Sequence, residues 1–272
     1  MMELLGKLPA GAAVLDLGAA AGSFPLPGGG LQVVRLDRSI PASRRGGAYV
    51  AAEAGRMPFR AASFDFVVAN HSIEHFEGLD AALREIARVI KPGGALYVAV
   101  PNAGSLTDRI YRWLGRGGGH VNVFRRPEEV AGPVERITGL RRRCTRPLYT
   151  SLSFLNSHNF IAPPPKRIAL FAFGNERFLA LLTWVLRWID DHRGTRLSRY
   201  GWAFWFGEAE LPESLELWVN VCVRCGAGNS EAYVRQTCAV RRRLWWFETY
   251  RCPLCGGWNL LTEDPPFRAR VR

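Results

Sequence analysis

Short, almost wholly apolar stretches recur along the first hundred residues, at 12–17, 32–37, 48–51, 64–70 and 95–100. Apolar and polar positions do not alternate within them. Both faces of each strand are therefore expected to be buried, as in a parallel sheet covered by helices. Between the fourth and fifth runs, Leu83, Ile86, Ala87 and Ile90 fall at helical spacing, which predicts a helix over residues 79–90. Lys91-Pro92-Gly93-Gly94 is the expected stop signal. Strands alternating with helices predict an α/β, doubly wound, mostly parallel sheet.

The pattern changes after Pro101. Residues 103–126 are rich in Gly and Arg and predict a loop with one short helix at 106–114. A sixth strand is expected at 140–149, and Pro163-Pro164-Pro165 is a rigid break beyond it. Residues 178–189 are apolar on nearly all sides of a helix, a pattern of helices that are buried or touch lipid. Two placements fit it: a lid over an acceptor pocket, or an interfacial helix steadied by Arg187, Trp188 and Arg193. Residues 201–207 and 216–223 are strand-like. The expected division is a core at 1–150, an inserted helical and aromatic segment at 151–215, a small cysteine module at 216–260 and a tail at 261–272.

The chain has 272 residues and a net charge of +12, from 36 basic and 24 acidic side chains. Only Lys7, Lys91 and Lys166 are lysines, so the arginine bias fits a GC-rich genome as well as an anionic partner such as nucleic acid, a membrane surface or a phosphorylated substrate. No apolar run approaches the roughly 20 residues that span a bilayer. The first residues lack a basic-then-apolar signal pattern, and a cytoplasmic protein is expected, with peripheral contact at the inner face of the membrane open.

Four of the six cysteines form two pairs, Cys222/Cys225 and Cys252/Cys255, each followed by glycine. With no export signal, such pairs predict metal binding rather than disulfides. Four thiolates suit a structural, tetrahedral Zn2+ with no open position, in a zinc ribbon whose strands would be 233–236 and 244–250. Arg241-Arg242-Arg243 followed by Trp245-Trp246-Phe247 interleaves charge and aromatics. That surface could stack bases, rest on headgroups, or dock on the core.

The chemistry-bearing residues of the core come in a fixed order. The first strand ends in Asp16-Leu17-Gly18-Ala19-Ala20-Ala21-Gly22, where small residues let a ligand approach the backbone. The second ends in Asp37, 21 residues after Asp16, placed to accept from ribose hydroxyls. Pro25 and Pro27 leave room for little more than one helical turn after the loop. A dinucleotide site wants a helix N-terminus aimed at its pyrophosphate, so a smaller nucleoside is expected.

These residues, with Val14–Phe24, Arg35–Ser39, Ala52–Phe66, Val67–Phe76 and Arg84–Val100, resemble the class I S-adenosylmethionine-dependent methyltransferases, in particular the family of the ubiquinone and menaquinone methylases. The resemblance covers about residues 10–145 and implies a Rossmann-like core. It implies that Asp16, Gly18, Ala20 and Gly22 lie at the methionine and ribose part of S-adenosylmethionine, that Asp37 and Arg38 meet the ribose, that Glu53, Arg56 and Met57 surround the adenine, and that Asn70 and His71 end the fourth strand near the reactive methyl group. The family's middle loop glycine is Ala20 here.

A hydroxyl acceptor needs a base, and His71, Glu74 and His75 near the end of the fourth strand, with His120 in the later loop, are the candidates, the histidines being favoured. His75 could instead simply pack or cap a helix. Asp264-Pro265-Pro266-Phe267 looks like an amino-methylation signature but lies in the tail, not after the fourth strand, and is set aside. The expected activity is methyl transfer to O or N of a small-molecule, sugar or lipid-linked acceptor. An RNA methyltransferase gripping phosphates through the ribbon and arginines, and a non-catalytic cofactor-binding or zinc adaptor, are the alternatives.

Overall fold

The computed structural model describes residues 5–26, 28–114, 119–159, 175–208, 217–243 and 247–263. Pro163–Pro165, Leu244–Trp246 and Asp264–Phe267 lie outside these residues. The chain divides into two compact units. The first comprises Met1–Ala103, Gly119–Arg146 and Trp202–Ser214. The second comprises Gly104–Gly118, Pro147–Gly201 and Leu215–Arg272.

The first unit is built on a seven-stranded sheet, in the order β3-β2-β1-β4-β5-β7-β6. Its strands are β1 (Ala13–Leu17), β2 (Gln32–Asp37), β3 (Ala48–Ala51), β4 (Phe64–Asn70), β5 (Ile90–Pro101), β6 (Arg142–Tyr149) and β7 (Arg199–Gly207). The first five pair in parallel. The end of β7 lies against the start of β5 and of β6, since Glu208 N–H donates to Gly94 and Gly207 N–H to Arg141, so β7 runs against both. Consecutive residues of β1, β4 and β5 are buried, as expected of a sheet covered on both faces. Helix α1 (Leu79–Val89) turns Ala82, Leu83, Ile86 and Val89 into that core.

Several elements depart from the sequence expectations. The fifth strand begins at Ile90, directly at the end of α1: Ile90 pairs with Phe64, and the pairing is irregular before it resumes at Ala95. Lys-Pro-Gly-Gly thus forms an irregularity inside the strand, fastened by Lys91 Nζ on Asp65. After the expected short helix, now α2 (Leu106–Trp113), a further helix, α3 (Glu128–Thr138), buries Val130, Ala131 and Val134. Gly132 and Pro133 inside it hide its periodicity. No helix follows the 18–22 loop among the described residues. Residues 201–207 belong to the main sheet as β7 rather than to the inserted segment.

The second unit contains α4 (Glu176–Arg193), capped by the Asn175 side chain, and the cysteine module. That module has a short hairpin, β8 (Asn220–Val221) with β9 (Gly228–Asn229), and a three-stranded antiparallel sheet of β10 (Arg241–Arg243), β11 (Phe247–Arg251) and β12 (Trp258–Leu260). Residues 233–236, expected as a ribbon strand, lie instead in helix α5 (Glu231–Thr237). Ser230 caps it through the Tyr233 amide, Glu231 pairs with Arg235 one turn on, and Val234 is buried beneath. These are helix-forming signals that outweigh the strand propensity of Tyr and Val. No helix of the described residues is long and apolar enough to cross a membrane.

Candidate functional site

The strand order reverses at β1: β2 and β3 lie on one side of it, β4 and β5 on the other. In open α/β sheets the crevice at such a switch point, beyond the carboxyl ends of the strands, is where ligands bind. A cavity of about 430 Å³ opens there. Gly18, Ala20, Asp37, Arg38, Glu53, His71 and His75 line it, together with apolar surface from Leu36, Ala54 and Ala82. That size and lining suit a nucleoside-sized ligand.

The loop over this cavity is held by one buried cation. Arg35, on β2 and fully buried, pairs with Asp16 on β1, its strand neighbour. It also donates to the carbonyls of Gly46 at 2.8 Å and Phe24 at 2.7 Å, with the Phe24 ring 4.8 Å from its guanidinium carbon. Asp16 additionally accepts from the Ser23 amide. Gly22 is needed because any Cβ there would sit 2.9 Å from the Arg35 guanidinium. Arg35 does the tethering that a following helix would otherwise do. Ala20 takes φ 43°, a left-handed conformation that only glycine adopts without strain, and its amide donates to Asp37 at 2.8 Å.

The sequence-predicted residues separate into two groups. Gly18, Ala20, Asp37, Arg38, Glu53, His71 and His75 meet at the cavity. Asp16, Gly22, Met57 and Asn70 are not among its lining residues. Asp16 and Gly22 face Arg35. Met57 is buried, with its amide on Glu85 and its carbonyl on Arg88. Hydrogen bonds from Arg88, then the Met57 amide, hold the Glu85 carboxyl below the usual glutamate range against a smaller effect of burial. His120 lies beside His75, ring centroids 4.8 Å apart. Phe76, Gly78 and Ala81 also line the cavity and were missed; the small Ala81-Ala82 pair on α1 is the signal that could have found them.

In the second unit, Cys222 and Cys255 sulfurs are 3.6 Å apart and Cys225 and Cys252 sulfurs 3.7 Å apart. All four sulfurs lie within 4.8 Å of one another. A disulfide is about 2.05 Å long, whereas four sulfurs about 2.3 Å from one ion stand about 3.8 Å apart. The two knuckles have the same backbone. Gly226 N–H donates to Cys222 O and Cys222 N–H to Ala227 O, as Gly256 does to Cys252 and Cys252 to Gly257, each at 2.9 Å. Hydrogen bonds from Cys225 and Cys252, then Asn259, draw the Cys222 thiol well below its usual range. The donor set and spacing fit a tetrahedral zinc ion.

The family model described as a methyltransferase domain matches residues 15–98. Malonyl-[acyl-carrier protein] O-methyltransferase of Pseudescherichia vulneris is 32% identical over 132 residues, 45% of this chain and 53% of the relative. Ubiquinone biosynthesis O-methyltransferase of Rhizobium rhizogenes is 29% identical over 144 residues, 46% and 58% of the two chains. Demethylmenaquinone methyltransferase of Beutenbergia cavernae is 38% identical over 106 residues, 36% and 44%. The chain spans about half the length of the curated relatives it matches. The matched segment carries β1 to β5, the glycine loop, Asp37 and the cavity. Over residues 15–98 the chain is similar to a methyltransferase domain.

Proposed function

We propose that the chain is an S-adenosylmethionine-dependent methyltransferase that acts on a hydroxyl of a small-molecule acceptor. The observation that carries this reading is one cavity at the switch point with two carboxylates, Asp37 and Glu53, on one side and two imidazoles, His71 and His75, on the other. Its fit to the cofactor rests on Asp37. One of its oxygens is taken by the Ala20 amide, and the second is left for ribose hydroxyls. Glu53, exposed at the far rim, would accept from the adenine amino group, and Leu36, Ala54 and Ala82 would give the ring an apolar seat. The names of two relatives, malonyl-[acyl-carrier protein] O-methyltransferase and ubiquinone biosynthesis O-methyltransferase, support oxygen as the acceptor atom.

S-adenosylmethionine supplies a methyl group on a positively charged sulfur. The chain must hold the acceptor oxygen in line with that bond and remove the acceptor's proton. His71 is assigned as the base. It follows β4 directly, lines the cavity, and has φ 53°, an uncommon conformation for a side chain of its size that is found at functional sites. Its Nδ1 is 3.6 Å from Glu74 Oε1, a buried carboxylate that orients the ring. With the cofactor bound as the methyl donor, His71 would accept the proton of the acceptor hydroxyl.

In this reading Cys222, Cys225, Cys252 and Cys255 hold a structural zinc ion. Calorimetry with S-adenosylmethionine tests the cofactor site, and metal analysis of the same preparation tests the zinc. Binding weakened about 10- to 100-fold by Asp37→Ala with zinc content unchanged is expected; normal binding by that variant refutes the site assignment.

A further inference from the structure

In the second unit the first cysteine knuckle is also the fastening of α4. Arg224 stands between Cys222 and Cys225, and its amide is 3.4 Å from the Cys222 sulfur. Its guanidinium pairs with Glu176, the first residue of α4, and donates to the Cys255 carbonyl at 3.2 Å. Glu176 also accepts from the Trp258 amide at 3.3 Å, just past the second knuckle. The Asn159 side chain donates to the Arg224 carbonyl at 2.7 Å, and that of Asn156 to the Val223 carbonyl at 3.0 Å. These bonds tie down the 3-10 turns Ser153–Leu155 and Ser157–Asn159. Leu155, Leu179, Ala180, Val223 and Leu260 share one apolar cluster. The conformation of one knuckle therefore sets the start of α4.

The four cysteines are not equivalent. Cys222 and Cys252 are buried, Cys255 is half-buried and Cys225 is exposed. The Cys222 sulfur is sheltered by the Arg224 amide and by the Asn259 side chain, each at 3.4 Å. Hydrogen bonds that stabilise a thiolate also make it a poorer nucleophile. An oxidant arriving from solution meets Cys225 first. The Cys252 sulfur lies 3.7 Å from that of Cys225, and closing this gap to about 2.05 Å makes a disulfide. An accessible thiolate with a second cysteine beside it is the arrangement of redox-sensitive cysteines.

We propose that Cys225 is a modification site: a hydroperoxide converts it to a Cys225–Cys252 disulfide, the module gives up its zinc, and α4 is unfastened at Glu176. The inference rests on the zinc assignment above and is independent of methyl transfer. The Cys225 thiolate attacks the peroxide; the S–O bond forms, the O–O bond breaks, and hydroxide leaves and is protonated to water. The Cys252 thiolate then attacks the Cys225 sulfenic acid; the S–S bond forms and a second hydroxide leaves, again protonated to water. Two electrons pass from the two thiolates to one peroxide, and two protons are taken from solution. Cys222 and Cys255 are left as half of the set that a structural zinc requires. The shift of Cys225 towards Cys252 draws Arg224, its chain neighbour, off Glu176. A dithiol reductant, with zinc, reverses the step.

The test is hydrogen peroxide treatment of the zinc-loaded full chain carrying Cys144→Ser and Cys238→Ser, so that only the four clustered thiols remain. Metal analysis beforehand, zinc release to a colorimetric chelator, disulfide mapping by mass spectrometry and hydrogen exchange are read on one preparation. Release of one equivalent of zinc is expected, with a Cys225–Cys252 linked peptide as the first product. Exchange over residues 177–183 should rise about tenfold, the loss of one hydrogen bond between charged groups. Dithiothreitol with zinc should restore all three. Glu176→Ala should keep its zinc and lose it to peroxide at the same rate, with exchange over 177–183 already raised and no longer responding to peroxide. Zinc retained in excess peroxide, a first disulfide that excludes Cys225, or exchange over 177–183 unchanged as zinc leaves overturns the proposal. A chain that holds no zinc before peroxide is added sinks the zinc assignment and this inference with it; zinc that is bound but not released sinks the inference alone.

Discussion

Two regions of this chain gather irregular backbone around a point of charge, one around a buried arginine and the other around four sulfurs proposed to hold zinc, and they do it differently. Between Gly18 and Gly47 the loops of the cofactor side close on the Arg35 guanidinium, which takes a carboxylate and two close carbonyls into the first unit's interior. Between Cys222 and Gly257 two knuckles close on a point equidistant from four sulfurs, where the chain supplies only anions and donors. The first cation is covalently part of the sequence and always present. The second, in the zinc reading, would come from solution. A region of the first kind folds wherever the chain folds, at the cost of burying an ion pair. A region of the second kind depends on metal concentration and can be emptied and refilled.

The largest effect expected from that difference concerns the cysteines. Structural zinc supplies roughly 10–16 kcal/mol in small metal-folded modules. Cys252→Ser, or a strong chelator, is expected to unfold the cysteine module, seen as loss of protection in hydrogen exchange over residues 220–260, while S-adenosylmethionine binding stays. Added zinc restores the chelated protein but not the variant. Cofactor binding lost in parallel with zinc would break the comparison.

Arg35→Met comes next. Leaving Asp16 buried without its partner should cost about 3–5 kcal/mol, read as a fall in the melting temperature. No metal or salt in the medium rescues it. Asp16→Leu added to Arg35→Met should recover much of the loss, because a buried ion pair replaced by apolar groups is often neutral. Failure of the double variant to recover would mean that the carbonyl contacts of Arg35 matter more than its charge. Asp37→Ala is smaller for stability but should weaken S-adenosylmethionine binding about 10- to 100-fold, the worth of a charged hydrogen-bond acceptor.

How far the sequence revealed all this obeys the same division. Strands β1, β4 and β5 are legible because burial on both faces writes itself as uninterrupted apolar runs. Asp37 and the cysteines are legible because their chemistry demands fixed spacings. Arg35 was invisible: an arginine in an apolar strand looks like a solvent-facing residue until Asp16 is known to stand beside it in register. Helix α3 was hidden by Gly132 and Pro133, and α5 by residues that read as a strand. The pairing of His120 with His75 depends on hydrogen bonds between segments 44 residues apart, which no local pattern records.

Glu85 gives the comparison a pH axis. Its carboxylate ties Met57 and Arg88 beneath the Glu53–Met57 turn, and its pKa is held below the usual value of 4.5. A group with a depressed folded pKa contributes stability that is complete above its unfolded pKa and lost as pH falls through the folded one. The melting-temperature difference between the parent and Glu85→Gln should therefore be constant near neutrality and shrink below about pH 4.5. An unchanged difference down to about pH 3 would show that the carboxylate charge does not carry the effect.

The smallest expected effect tests whether the loop's tether is also its strain. Ala20 carries a left-handed backbone costing about 1–2 kcal/mol that glycine would not. Glycine in turn adds about 0.4–1 kcal/mol of freedom to the unfolded chain. Ala20→Gly should thus gain on the order of 0.5–1 kcal/mol net, a rise of about 1–4 °C in melting temperature for a unit of this size. The gain requires that Arg35 already holds the loop in its present shape. Combined with Arg35→Met, where the loop is free to relax, the same substitution should give no stabilisation, since the strain is released before glycine can relieve it. Equal gains in both backgrounds would mean that the conformation at residue 20 is set by the Asp37 contact to its amide alone, and that the buried cation and the loop's geometry are independent.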